Sequence, residues 1–554
     1  MSAEDTAPHD EVGQRGRWIG CFGILLGVFI YAIDVSVADA VLPAIVAELG
    51  VGVDEASLVV VVYMIVLACL IVPAGALGDR VGARPVYISG VVLFGIGSAM
   101  AGLASDLAIL VAGRAIQAVG AALLAPTSMA LLNHAFPSGS ARTLAFGLWS
   151  STVGVAVAVG PFVGSVFATI LSWRYAFFIS PPLILISTLA VLTALSSPPK
   201  KAEAGGIDFA GLILVTLGLF VITAGFQSLS ALGIVSAPAG ASFVGVRWPY
   251  AISPALPLLA VGALMLIAFY MVEAKRGARG HPVIFDVALL ERKTYKWALV
   301  ATSIMSGLLF LALFIMPLYV TNILDGSTLT AGLVTSFVGI GLAVGGFLNA
   351  RLPAIADDRI VIGSIVLQGA GYGALMLFAT GDASPWASAA PLTAIGLGWG
   401  IGYARLVSLM LSDVPKSQAG VASGAGQMGR QLGGAVATAL AVAIVFTLER
   451  ADVRDLDLAA LPPAQAQKLE SALRLRHALT PELTNTPITT KHPDAAPPRA
   501  DTAPRDDGDA QLIAKVRAAM VRSMDVAFAL GIFIAFLSLL AALRLKASLK
   551  RAAA

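Results

Sequence analysis

Gly75-Ala76-Leu77-Gly78-Asp79-Arg80-Val81-Gly82-Ala83-Arg84-Pro85 forms a short charged turn between two long apolar runs, 56–77 and 86–104. Glycine gives such a turn its tightness. Asp79 is placed to cap the helix that follows, while Arg80 and Arg84 hold one side of a bilayer. A helix of about 20 apolar residues spans about 30 Å of hydrocarbon. The stretch therefore reads as the hinge of a transmembrane hairpin.

Working outward, similar runs fall at 18–42, 107–132, 143–171, 175–195, 209–227, 254–272, 297–320, 329–349, 360–378, 389–411, 420–448 and 524–544. Fourteen transmembrane helices are expected. Composition agrees. Hydrophobic residues make up 58% of the 554 and charged residues 12%, with 56 glycines. A soluble domain carries about 25% charged residues, so most of this surface does not face water. The net charge of +3 gives no reason to expect nucleic acid as a partner. Cys21 and Cys69 sit alone in apolar runs and read as packing residues, not as a disulfide or a metal site. Residues 1–17 are a polar tail, and the first run is too long for a signal-peptide core.

Lys and Arg fix the expected orientation. With both termini cytoplasmic, the short loops on the outer side hold only Arg174 and Arg247, while Arg80, Arg84, Arg142, Lys275, Arg292, Lys293 and others fall inside. The Ala/Gly/Val-rich usage suggests a bacterium, and hence a multi-pass protein of its inner membrane. Loop 449–523, rich in Ala, Pro, Asp and Arg, reads as a periplasmic excursion or as a docking domain for a periplasmic adaptor. Within it 462–478 is a candidate amphipathic helix, and 509–523 a candidate extension of the last helix. The basic loop 273–296 is expected to lie against anionic lipid headgroups.

Leaving aside Asp525 and Arg544 at the two ends of the last run, five charges fall inside the runs: Asp34, Asp39, Arg114, Arg405 and Arg430. A charge in the membrane core costs several kcal/mol unless paired or hydrated, so each is a functional candidate. Asp34 and Arg114 lie at similar depth, roughly 10–12 Å below the outer boundary, and can face one another. One reading is a proton-coupling carboxylate whose affinity is switched by a neighbouring Arg; the other is a fixed ion pair that locks two helices. Asp39 is the second acid. Arg405 is close enough to the inner boundary to snorkel, and Arg430 lies deeper. Nothing in the chain forms a nucleophile elbow, phosphate loop or His-metal motif in a confirming context, so no enzyme is expected.

The hinge resembles the signature loop of the major facilitator superfamily, G-x-L-x-D-R-x-G-R, at Gly75, Leu77, Asp79, Arg80, Gly82 and Arg84. Asp34-Val35-Ser36-Val37-Ala38-Asp39-Ala40-Val41-Leu42-Pro43 is similar to the first helix of its fourteen-helix drug:proton antiporter branch. Arg114-Ala115-Ile116-Gln117-Ala118-Val119-Gly120 matches R-x-x-Q-G-x-G with Ala118 for glycine. Gly160-Pro161-Phe162-Val163-Gly164-Ser165 resembles the antiporter bend G-P-x-x-G-G.

The resemblance implies an all-α membrane protein of the major facilitator fold, two six-helix bundles plus two inserted helices. The divisions are the tail 1–17, a first bundle 18–195, inserted helices with the basic loop at 196–296, and a second bundle 297–554 including loop 449–523. It implies a multidrug-efflux-type antiporter: proton coupling through Asp34 and Arg114, a gate loop at Gly75, Asp79, Arg80, Gly82 and Arg84, a bend at Gly160, Pro161 and Gly164, and no cofactor beyond the proton gradient. Tyr31, Gln117, Tyr319, Arg405, Arg430 and Gln431 are candidates for the cavity wall and substrate contact. Partners are a lipophilic small molecule, protons and membrane lipids. A lipid or metabolite exporter of the same branch, or a sensor that no longer transports, are the rival readings.

Overall fold

The computed structural model describes residues 13–553 apart from 52, 137–138, 196–207, 233–241, 244–245, 282, 325, 350, 353–356, 413, 416–417 and 455–506. Among them fourteen long helices dominate: α1 Gln14–Leu49, α2 Leu58–Val81, α3 Ala83–Gly102, α4 Leu107–Ala135, α5 Gly139–Thr169, α6 Ser180–Ala194, α7 Phe209–Leu232, α8 Ala255–Ala278, α9 Lys293–Asn322, α10 Thr328–Asn349, α11 Asp357–Phe378, α12 Ala389–Ser412, α13 Ala419–Arg454 and α14 Asp507–Ala553. Among the described residues, thirteen helical spans are long and apolar enough to cross a membrane. The helix outside that set is α13, whose first half carries Gln427, Arg430, Gln431 and several glycines. The only pairing of strands among the described residues is a two-residue ribbon, Ser242–Phe243 with Val246–Arg247. Helices predominate because lipid offers the backbone no hydrogen bonds, so each segment must satisfy its own.

Local chemistry sets the ends. Gly50, at φ 63°, closes α1 by donating its N–H to the Val46 carbonyl. The helix runs on through Pro43, several residues beyond the apolar run. Gly82, at φ 114°, alone separates α2 from α3, a conformation that favours glycine. Asp106 caps α4 by accepting the Ile109 N–H at 2.9 Å. The expected extension of the last helix over 509–523 is present, since α14 starts at Asp507. The candidate helix 462–478 and most of loop 449–523 lie outside the described residues, as do residues 1–12 of the tail.

The two halves repeat one packing plan. The pairs α1·α5, α1·α6, α2·α4, α3·α4 and α3·α6 recur as α9·α13, α9·α14, α10·α12, α11·α12 and α11·α14. Two seams join the halves, α5 with α10 and α2 with α13, and each is the image of the other under that repeat. Small residues let the seams close. Gly147 faces Gly346, and Gly154 meets Gly339 and Ala343. The inserted pair stays outside: α7 packs on α8, α2 and α13, while α8 turns Leu256, Leu264, Ile267 and Tyr270 outward. Such an apolar belt suits a bilayer. The side of the protein where α1 begins and α14 ends is its terminal face.

Candidate functional site

Asp34 and Arg114 form an ion pair between α1 and α4, and both are almost fully buried, at 3% and 1% exposure. The equal depth read from the sequence is thus met in space. Gln117, one turn along α4, accepts from Arg114 Nη1 at 2.9 Å and donates to Asp34 Oδ1 at 3.1 Å. It also donates to Ser98 of α3 at 2.7 Å. Arg114 Nε donates to the Val59 carbonyl of α2 at 2.9 Å, and the guanidinium lies 4.2 Å from the Tyr63 ring centre. Four helices therefore meet in one hydrogen-bonded network around the pair. A buried pair satisfied in this way survives in low dielectric; removing one partner typically costs about 3–5 kcal/mol. Asp39 lies one turn and a half further along α1, and its side chain is outside the described residues.

At the terminal face the hinge loop meets the other half. Asp79 does not cap α3, as its position in sequence suggests, because it still belongs to the last turn of α2 and α3 starts on Gly82 without a side-chain cap. Its two oxygens accept the Gly420 and Val421 N–H groups, each at 2.7 Å, at the start of α13. An anion is thereby seated on the positive end of a helix of the opposite half. Gly75 lies against the Gly420 carbonyl, where a Cβ would clash. Ser423 donates to the Pro126 carbonyl at 3.0 Å, and Gln427 meets Met129 Sδ at 3.7 Å. Arg142 donates to the Ser408 carbonyl at 3.2 Å. These contacts seal the terminal face. Arg84 instead turns to the Leu192 carbonyl of α6. The segment around Ile284 and Asp286 lies beneath Asp79 and Arg80, held by a Gln418–Asp286 bond of 3.2 Å and by Glu273, which accepts the Phe285 N–H at 3.0 Å.

The bend motif joins these regions. Gly160 rests on Ser36 and Gly164 on Val37 and Ala40, so α5 touches α1 within a turn of Asp34. Pro161, between them, faces Gly332 of α10 across the seam. The motif thus brings together the helix of the buried acid and a helix of the other half.

Between the halves lies an aromatic group that the sequence does not single out. Tyr403 stacks on Trp399 at 4.2 Å and on Trp149 at 5.8 Å. Arg430 lies near enough to Tyr31, Tyr63 and Tyr403 to interact electrostatically, and its Nε donates to Gln427 Oε1 at 2.8 Å. Tyr63 Oη and Trp399 Nε1 are buried without a hydrogen-bond partner among the described residues. An aromatic cluster with two unsatisfied polar atoms is chemically matched to an apolar guest that carries hydrogen-bonding groups.

Other candidates sit elsewhere. Tyr319 is fully buried in the second half, donates to the Thr380 carbonyl at 2.7 Å and packs on Phe528. Arg405 neither snorkels nor faces the aromatic group. It donates to Asn349 Oδ1 at 2.6 Å, Asp357 Oδ1 at 2.8 Å and the Asn349 and Leu352 carbonyls, tying α12 to the α10–α11 connection. Gln431 lines a separate side cavity. On the face opposite the termini, Glu48 accepts from Trp173 Nε1 at 2.8 Å and pairs with Arg174. That guanidinium holds the Glu48 carboxyl below its usual range.

The family model for the Major Facilitator Superfamily matches residues 24–221 and 215–438. The chain is similar to the tetracenomycin C resistance and export protein of Streptomyces glaucescens, 26% identical over 83% of this chain and 82% of that one. It is similar to the puromycin resistance protein pur8 of Streptomyces alboniger, 28% identical over 76% and 81%. Among solved structures it shares its fold with the human organic anion transporter MFSD10 (TETRAN), at a TM-score of 0.52 and 14% identity, covering 79% of this chain and 94% of that one. With most of its length matched by the family model, its helices arranged as a repeated bundle and its hinge loop latched across the seam, the chain belongs to the Major Facilitator Superfamily.

Proposed function

We propose that this protein exports lipophilic small molecules from the cytoplasm in exchange for protons, with both termini in the cytoplasm and the sealed terminal face as its inner gate. Its transport class follows from its family, and the names of the two relatives, one for tetracenomycin C resistance and export and one for puromycin resistance, support a drug-like substrate. One observation carries the coupling: Arg114 is shared between Asp34 and the Val59 carbonyl of α2, the helix that ends in Asp79. Protonating Asp34 removes the charge that holds Arg114 and changes the load on α2. The latch at the far end of that helix then responds, and the two seams rock. The substrate sits among Tyr31, Tyr63, Trp149, Trp399, Tyr403 and Arg430. The cation favours neutral or anionic lipophiles over cations.

The test is Nile red efflux from cells stripped of their own pumps, with and without a protonophore. Wild type should lower dye retention only while the gradient stands. Asp34→Asn should insert normally and lose gradient-driven efflux. Full efflux from that variant would remove Asp34 from the coupling.

A further inference from the structure

A cavity of about 250 Å³ opens beside the α2·α13 seam, outside the aromatic centre and under the inserted helix α7. Its walls come from four helices: Met64 and Ala68 of α2, Thr223 and Phe226 of α7, Phe310 of α9, and Gln431, Ala435 and Thr438 of α13, among others. Met64 lies six residues from the start of α2 at the face opposite the termini, roughly 9 Å in. Thr438 lies nineteen residues from the start of α13 at the terminal face, roughly 28 Å up. The cavity therefore occupies the half of the membrane away from the sealed gate.

Its chemistry is narrow. Among the described residues no charged side chain lines it. Aromatic rings, two methionines and small residues supply most of the wall. Gln431, Thr223 and Thr438 line it with no side-chain hydrogen bond among the described residues. A polar group in lipid ordinarily finds a partner, and a threonine in a helix ordinarily bonds back to its own carbonyls, as Thr152 and Thr335 do here. One wall also borders the aromatic centre. Phe310 borders the cavity, lies 5.9 Å from the Arg430 guanidinium of the aromatic centre, and rests against Gly434, which has no side chain to fix the ring.

From these relations we infer that the inserted helix α7 roofs a second binding site, a lateral exit station for an uncharged lipophile bearing one hydrogen-bonding group. The guest passes from the aromatic centre past Phe310 and leaves sideways along α7 into the bilayer. This gives the inserted pair a role that the repeated twelve-helix plan does not need. The inference rests on the export reading for the direction of travel. Occupancy of the site itself can be read without a proton gradient.

The test uses the full chain in nanodiscs and a diazirine-bearing long-chain alcohol as probe. After illumination, adducts are mapped by mass spectrometry. They should concentrate on Met64, Phe226, Met428 and Leu432 and be displaced by excess unlabelled alcohol. Ala435→Trp, which fills the space, should abolish them. Gln431→Leu, which keeps the volume, should weaken them. The nanodisc carries no proton gradient, so labelling reads occupancy of this cavity alone, while efflux with and without a protonophore reads coupling; the two readings therefore fail separately. Labelling spread evenly over outward residues of α8 such as Leu264, or unaffected by Ala435→Trp and Gln431→Leu, overturns the site. Labelling of these residues by a diazirine phospholipid but not by the alcohol overturns the assigned guest and makes the cavity a lipid seat.

Discussion

Asp79 accepts the backbone N–H of Gly420 at 2.7 Å, so the last turn of α2 caps the first turn of α13 across 341 residues of sequence. Most such caps act within one helix. Here the cap exists only when the two halves meet at the terminal face, so its energy belongs to one conformation alone.

Loss of that carboxylate should therefore unlatch the gate without unfolding either half. Side-chain caps contribute about 0.5–2 kcal/mol, roughly a 2- to 30-fold change in the population of the sealed state. In Asp79→Ala, a cysteine introduced at Gln427, which packs on Met129 inside the seam, should react correspondingly faster with a water-soluble maleimide. The natural Cys21 and Cys69 are both buried and are replaced beforehand. Equal rates in the two backgrounds would show that Asp79 does not hold the gate.

The second prediction is steric. A side chain at Gly420 would strike the Gly75 carbonyl and the Asp79 carboxylate. Gly420→Val should insert and fold yet fail to seal, with transport lost and Gln427→Cys reactive throughout. Gly363 of α11 has open space around it, so Gly363→Ala serves as the control and should transport normally. Transport by Gly420→Val at the wild-type rate would mean that closure does not need this contact.

These contacts also mark how far the sequence can be read. The Asp34–Arg114 pair is legible because two opposite charges, each costly alone in lipid, sit at matching depth on separate runs. The bend is legible because Gly160 and Gly164 are one turn apart, but not which helix they admit; Ser36 and Ala40 reveal that only in space. The partner of Asp79 is hidden, since backbone N–H groups carry no residue signature and these lie in the other half. Trp149, Trp399 and Tyr403 are hidden for a different reason: aromatics in an apolar run look alike whether they pack a core or line a site. The first apolar run ends at 42, yet α1 continues to Leu49 and carries Glu48 to its clasp.

Arg405 tests whether a buried cation must contact substrate. Its guanidinium fork is taken up by Asn349, Asp357 and the Leu352 carbonyl, all on the α10–α11 connection. Lysine keeps the charge but cannot reproduce the fork. Arg405→Lys should lower stability by about 1–3 kcal/mol, the usual cost of leaving buried hydrogen-bonding groups unpaired. Thermal unfolding in detergent reads that loss. Substrate preference per folded molecule should stay constant, and a changed preference would place Arg405 in the binding site after all.

The last prediction concerns acid and the clasp at the face opposite the termini. Arg174, beside Glu48, depresses the folded pKa of that carboxyl, with Trp173 adding a second bond. A depressed carboxylate pKa means that the unfolded chain takes up the proton first as pH falls. The stabilisation is therefore complete above the unfolded value of about 4.3 and disappears as pH drops through the lower folded value. Glu48 is about half exposed, so solvent screening keeps the contribution to about 1 kcal/mol or less. The melting temperature of Glu48→Gln should lie slightly below that of wild type by a constant amount from about pH 8 to about pH 5, and the gap should close on further acidification. A gap that stays open however far the pH falls below the unfolded value of about 4.3 would mean that the clasp holds by shape and not by charge.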